Sequence, residues 1–213
     1  MVKLRYYVDV LSSWCLYCEP HLAEVRAKYG ARLSYEWRVA LIKDLPHSRG
    51  QVEWFYKRSG GISGLHLNPA WFQGSYDSRD INLAAEAARD LGFDDDRVRL
   101  ALARAALVEG VPVQYKNGAA DLVATVTGAE PEAVLKLMES PEVNERIEQS
   151  EREFASLGVD QRPAFVLRSS IGDAAVFSGI WTAQPLDATI GAMLRDVDKY
   201  AAFAAENPPL PAR

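Results

Sequence analysis

Cysteine is scarce: 213 residues hold two, Cys15 and Cys18. Two cysteines exclude a disulfide-scaffolded fold. There are three histidines and no second C-x-x-C, so a zinc site lacks its four ligands; His21 lies near Cys18, but His47 and His66 are remote. Haem attachment needs His directly after Cys18, and that residue is Glu19. Basic excess is also missing. Lys+Arg 24 against Asp+Glu 29 gives a net charge of −5, which argues against a general nucleic-acid or anionic-membrane binder. The uncharged stretch from Ser59 to Tyr76 is broken by glycines, His66, Asn68 and Pro69, so it is no membrane span. Arg5 and Asp9 interrupt any apolar leader, and no Asn-x-Ser/Thr occurs. These absences lead us to expect a cytoplasmic protein. Hydrophobic residues at 48% and charged residues at 25% exclude disorder.

The first forty residues read as strand, helix, strand. Leu4 to Val10 is aromatic and β-branched. Ser12 and Ser13 are cap-type residues before a helix from about Cys15 to Tyr29, stopped by Gly30. Leu33, Tyr35, Trp37 and Val39 alternate with more polar residues, a strand pattern of period two. The connection implies a parallel, right-handed βαβ unit. From about Gln51 to Leu157 the periodicity is helical, with helices expected from Ser78 or Asp80 to Leu91, from Asp94 or Asp95 to Glu109, over Ala119–Thr127, over Pro131–Met138 and from Pro141 to Leu157. Strands return at Ala164–Leu167 and Ala174–Phe177, flanking a turn that contains Gly172. Leu186, Ile190, Met193, Val197 and Ala201 mark one face of a last helix. Pro208, Pro209 and Pro211 predict a loose tail. The expected class is α/β: a thioredoxin fold, βαβ…ββα, from residues 1–48 and 158–213, with a large inserted α-helical domain at 49–157.

Chemistry concentrates in Trp14-Cys15-Leu16-Tyr17-Cys18. A C-x-x-C between a first strand and a helix reads as a redox dithiol. A helix N-terminus favours thiolate over thiol and lowers such pKa values to about 3.5–7.5. Cys15 is expected at the exposed end as nucleophile, with Cys18 one turn inward to resolve the mixed disulfide. Arg162-Pro163-Ala164 precedes the third strand, where a thioredoxin-type site places a cis-proline facing the dithiol and aligning an extended substrate. The other reading is an ordinary proline at a strand start.

Two stretches carry a family resemblance: Val8-Asp9-Val10-Leu11-Ser12-Ser13-Trp14-Cys15-Leu16-Tyr17-Cys18-Glu19-Pro20, and Gly158 to Leu167 followed by Phe177-Ser178-Gly179-Ile180-Trp181. With the run Ser140-Pro141-Glu142-Val143 they resemble the DsbA-like branch of the thioredoxin superfamily, most closely its cytoplasmic FrnE-like members. The resemblance implies thiol–disulfide exchange with no bound cofactor and no metal. Two departures stand out. Arg162 replaces the small or β-branched residue usual before the proline, and its guanidinium either stabilises the Cys15 thiolate, pairs with a substrate carboxylate, or points to solvent. Leu16-Tyr17 is not a common intervening pair. Kappa-class glutathione transferases and 2-hydroxychromene-2-carboxylate isomerases share the layout and typically carry serine where Cys15 stands.

Trp14, Tyr17 and Arg162 are candidate substrate-binding residues. Trp54, Phe55, Tyr56, Trp71, Phe72 and Tyr76 form either a substrate groove or, more simply, the core of the helical block. Glu24 reaches the buried thiol only indirectly. The leading expectation is a disulfide oxidoreductase or isomerase acting through Cys15, Cys18 and Pro163 on protein or small-molecule disulfides and thiols. Its alternatives are a glutathione-dependent isomerase or transferase and a non-enzymatic client-binding module. Glutathione or another low-molecular-weight thiol is the expected co-substrate, and the protein a monomer or homodimer.

Overall fold

The computed structural model describes residues 1–43, 46–74 and 76–207; the proline-rich tail expected to be loose lies outside the described residues. Strand β1 (Val2–Val8) runs parallel to β2 (Leu33–Val39) and antiparallel to β3 (Ala164–Ser169), which pairs antiparallel with β4 (Ala174–Ser178). The sheet order is β2-β1-β3-β4. Helix α1 (Ser13–Tyr29) links β1 to β2, and α8 (Ala183–Glu206) follows β4. This is the thioredoxin fold.

Strand alternation divides the core between two faces. Leu4, Tyr6, Val8, Phe165 and Leu167 join the main core with Leu22, Val25 and Ile190 of α1 and α8. Tyr7, Ala164 and Val166 point the other way, onto Phe154. β1 stops at Val8, two residues before the expected end, because the Asp9 side chain turns the chain out of the sheet by accepting the Leu11 and Ile42 N–H groups.

Between β2 and β3 lie α2 (Arg49–Ser63), α3 (Arg79–Asp90), α4 (Arg97–Arg104), α5 (Lys116–Thr127), α6 (Pro131–Met138) and α7 (Pro141–Ser156). The periodicity called for a single helix up to Glu109. The chain instead leaves α4 through a π-helical turn, Ala105–Glu109, ended by Gly110 at φ 75°. A Cβ at Gly110 would stand 2.5 Å from the Asn68 amide, so glycine is required there twice over. Ala84, Ala85, Ala87 and Ala88 make the middle of α3 a small-residue face buried inside the helical block. α7 packs back on the sheet through Phe154.

One buried ion cluster ties the insertion to α1. The Arg99 guanidinium on α4 bonds both Glu19 oxygens at 2.5 and 3.1 Å and Asp96 at 2.8 Å. The Tyr6 hydroxyl donates to Glu19 and the Tyr35 hydroxyl to Asp96. No helix among the described residues is long and apolar enough to cross a membrane.

Candidate active site

The site is built at the start of α1. Asp9 is wholly buried, and its carboxylate holds two loops at once: Oδ1 accepts the Leu11 N–H and Oδ2 the Ile42 N–H, each at 2.8 Å. Its backbone carbonyl accepts the Ser12 N–H at 3.0 Å. Burial raises the Asp9 pKa, opposed by those two backbone donors. Ser12 is extended, and its hydroxyl oxygen accepts the Cys15 N–H at 3.2 Å. Ser12 is therefore the N-cap. The next two N–H groups, of Ser13 and Trp14, have no acceptor among the described residues.

This cap fixes the register of everything that follows. Cys15 is the third residue of the helix rather than its tip. It is 1% exposed, as is Cys18, so the expectation of an exposed Cys15 is not met. The same burial works against the expected thiolate. Burial pushes the Cys15 thiol up to about 11, against the pull of the Ser12 and Tyr6 hydroxyls. Burial also raises Cys18, with the nearby Cys15 and Glu19 charges adding to it. The helix-end field falls off within the first turn, and the Cys15 N–H is already taken by Ser12. Both cysteines are free thiols, and no cluster of three metal-ligand residues occurs among the described residues.

A cavity of about 440 Å³ opens on the cap. Ser12, Ser13 and Trp14 form one wall, Ile42 and Lys43 a second, and Phe55, Tyr56 and Arg58 of α2 a third; Trp71, Tyr76, Asp160 and Arg162 also line it. Neither cysteine borders it. Of the aromatics assigned to the core of the helical block, Trp71 and Phe72 are buried, whereas Phe55 is exposed at the cavity and Trp54 faces solvent. The Trp71 indole N–H donates to the Tyr56 hydroxyl at 2.8 Å, bracing that wall.

The remaining candidates separate. Trp14 borders the cavity and packs on Trp181 at 5.6 Å. Tyr17 lies outside the lining and packs on Trp181 and His21. The Arg162–Pro163 peptide bond is cis, and the Pro163 carbonyl accepts the Gly179 N–H. The Arg162 side chain is half-buried rather than turned to solvent, and it borders the cavity while bonding to backbone. Nε donates to the Ala40 carbonyl at 2.7 Å, Nη1 to the Asp160 carbonyl at 2.8 Å and Nη2 to the Leu41 carbonyl, while the guanidinium stacks over Phe154 at 4.6 Å. It clamps the loop after β2 to the loop before β3. Glu24 is exposed; the acids whose charges act on the buried thiols are Asp9, on Cys15, and Glu19, on Cys18.

Sequence reasoning read Ser12 only as a cap and missed it as a cavity residue. The Ser12-Ser13 pair itself was the available signal, since a cap marks the helix tip and thereby excludes a residue three positions later from it.

The model of the DSBA-like thioredoxin domain matches residues 3–190. The chain belongs to that family. A search of curated proteins gives no match. Among solved structures, this DSBA-like chain is similar to the cytosolic disulfide reductase DsbM from Pseudomonas aeruginosa, with TM-score 0.73 and 23% identity, covering 91% of this chain and 98% of that one. DsbM has also been solved with GSH. A thioredoxin-like oxidoreductase from Silicibacter pomeroyi DSS-3 gives TM-score 0.61 at 19% identity, covering 93% of this chain and 87% of that one. A 2-hydroxychromene-2-carboxylate isomerase gives 0.59 at 18%, covering 94% and 98%. This chain's structural neighbours thus include both oxidoreductases and an isomerase, and at these identities the likeness establishes the fold.

Proposed function

We propose that this protein is an enzyme that works with the sulfur of a bound low-molecular-weight thiol, of the isomerase or transferase kind. One observation carries the reading: the group presented to the cavity at the tip of α1 is the Ser12 hydroxyl, not a cysteine. The unpaired Ser13 and Trp14 N–H groups, the Ser12 hydroxyl and the positive end of α1 favour a thiolate seated beside them. A free thiol ionises well above neutral pH, so such a site raises its reactive fraction at neutral pH. The aromatic wall of Phe55, Tyr56, Trp71 and Tyr76 suits a planar apolar substrate. Lys43, Arg58 and Arg162 supply positive charge for carboxylates of the thiol.

The reading is tested with glutathione as probe. Calorimetry and the ultraviolet thiolate band are followed as glutathione is added to wild type, Ser12→Ala and Ser12→Thr. Binding with thiolate formation is expected in wild type, retained in part by Ser12→Thr and lost in Ser12→Ala. Equal thiolate formation in all three overturns the role of Ser12.

Direct dithiol exchange through Cys15 and Cys18 is the second reading. It is favoured by their one-turn spacing on α1 and by the cis bond before Pro163. It requires the first turn of α1 to open, because Cys15 is sealed behind Ser12. Both readings suit the cytoplasm, a reducing compartment that keeps thiols free.

A further inference from the structure

The thiol-dependent reading leaves Cys15 without a task, although it lies one helical turn behind Ser12, which borders the cavity. Ser12 and Cys15 stand three residues apart across the first turn of α1, joined by the bond from the Cys15 N–H to Ser12 Oγ. That is the spacing of a C-x-x-C pair with the outer sulfur replaced by oxygen. Ser12 is 7% exposed and borders the cavity, and its hydroxyl hydrogen has no nitrogen or oxygen acceptor among the described residues. Cys15 is sealed from bulk solvent, with the Tyr6 hydroxyl 3.4 Å from its carbonyl oxygen.

Resting on the reading that a thiol binds at Ser12, we infer that Cys15 forms a mixed disulfide with that bound thiol, so that the ligand brings the outer sulfur of a split dithiol and the site reduces disulfides. With glutathione as the thiol, bound GS⁻ attacks R–S–S–R′, forming G–S–S–R and releasing R′S⁻. With the first turn of α1 open around the bound thiol, Cys15 then attacks the glutathione sulfur. The Cys15–glutathione S–S bond forms, the bond to R breaks, and the Cys15 proton goes to departing RS⁻. A second glutathione attacks the sulfur of the bound one, releasing glutathione disulfide and returning Cys15 with the incoming proton. One disulfide and two thiols of glutathione become two product thiols and one glutathione disulfide.

Burial behind Ser12 gives the proposal a selective signature. Iodoacetamide in bulk solvent should label Cys15 slowly, whereas glutathione disulfide, which the cavity binds, should modify it quickly. The test incubates wild type, Cys15→Ser and Cys18→Ser with glutathione disulfide, maps the adduct by mass spectrometry, and measures reduction of a small disulfide by glutathione. S-methylglutathione binding is measured on all three and on Ser12→Ala. The expected result is an adduct on Cys15 in wild type and Cys18→Ser, none in Cys15→Ser, and loss of disulfide reduction in Cys15→Ser with S-methylglutathione still bound. An adduct on Cys18, or full reduction by Cys15→Ser while binding persists, overturns the inference and leaves the thiol-dependent reading standing. Absence of S-methylglutathione binding to wild type overturns both.

Discussion

Ser12 Oγ accepts the Cys15 N–H at 3.2 Å, and this bond sets which atom meets the cavity. It makes Ser12 the cap of α1 and puts Cys15 behind it, so oxygen stands at the helix tip and sulfur one turn below. A first prediction follows from replacing that oxygen. Ser12→Cys should create a cavity-facing thiol at the tip, beside the Ser13 and Trp14 N–H groups, over the buried Cys15. The variant should gain a reversible intramolecular disulfide with Cys15 and a thiol pKa lowered into the range of about 3.5–7.5. Non-reducing mass mapping and a pH titration of alkylation check this. Failure to form that bridge would mean that Ser12 and Cys15 are not placed as described.

The pH dependence of Cys15 has a definite sign. Its folded pKa, about 11, lies above the ordinary value of 9.0 because of burial. The protonated thiol therefore stabilises the fold fully below pH 9, and this contribution is lost as pH rises through about 11. Two pH units correspond to about 3 kcal/mol. Wild type should lose stability relative to Cys15→Ser across that interval in denaturant titrations. Native-state labelling of Cys15 should have its midpoint near 11; a midpoint near neutrality contradicts the burial described here.

Arg162 is predicted to act through the loops it clamps. Arg162→Ala removes donors from the Ala40, Leu41 and Asp160 carbonyls and the stacking on Phe154. The expected cost is about 2 kcal/mol of stability, from partly buried acceptors left unpaired. Arg162→Lys should recover little, since one ammonium does not match three separated carbonyls. Thermal unfolding of the two variants checks this. A change below the measurement error in both would show the clamp to be dispensable.

Much of the frame was legible in the sequence. The alternation from Leu33 to Val39 and the prolines at 131 and 141 mark elements that begin or run where the structure has them. Helix continuity past Arg104 was not, because a π turn keeps helical periodicity locally while shifting the register. The site was legible in place but not in register. The C-x-x-C spacing drew the chemistry to Cys15, although the serine pair before it already marked the helix tip. Side-chain roles set by distant partners were beyond reach. Arg162 meets Ala40 and Leu41 across 122 and 121 positions, and Arg99 meets Glu19 across 80.

That last pair yields a prediction about the insertion. Arg99→Met leaves Glu19 buried beside Tyr6 without its cation, while Asp96 keeps Arg26. Stability should fall by about 3–5 kcal/mol, the usual result of breaking a buried pair from one side. The double variant Arg99→Met/Glu19→Gln should recover part of it in a double-mutant cycle. No recovery would mean that the loss comes from packing around Arg99 rather than from the uncompensated buried charge of its partner.

The central claim is that the sulfur at the helix tip comes from outside the chain. Its most direct test equilibrates wild-type protein in glutathione redox buffers, quenches with acid and reads the intact mass. The account predicts gain of one glutathione per chain, with no loss of two hydrogens at any ratio of thiol to disulfide. A reversible loss of two hydrogens, abolished by either Cys15→Ser or Cys18→Ser, would contradict it and make the two cysteines the working couple.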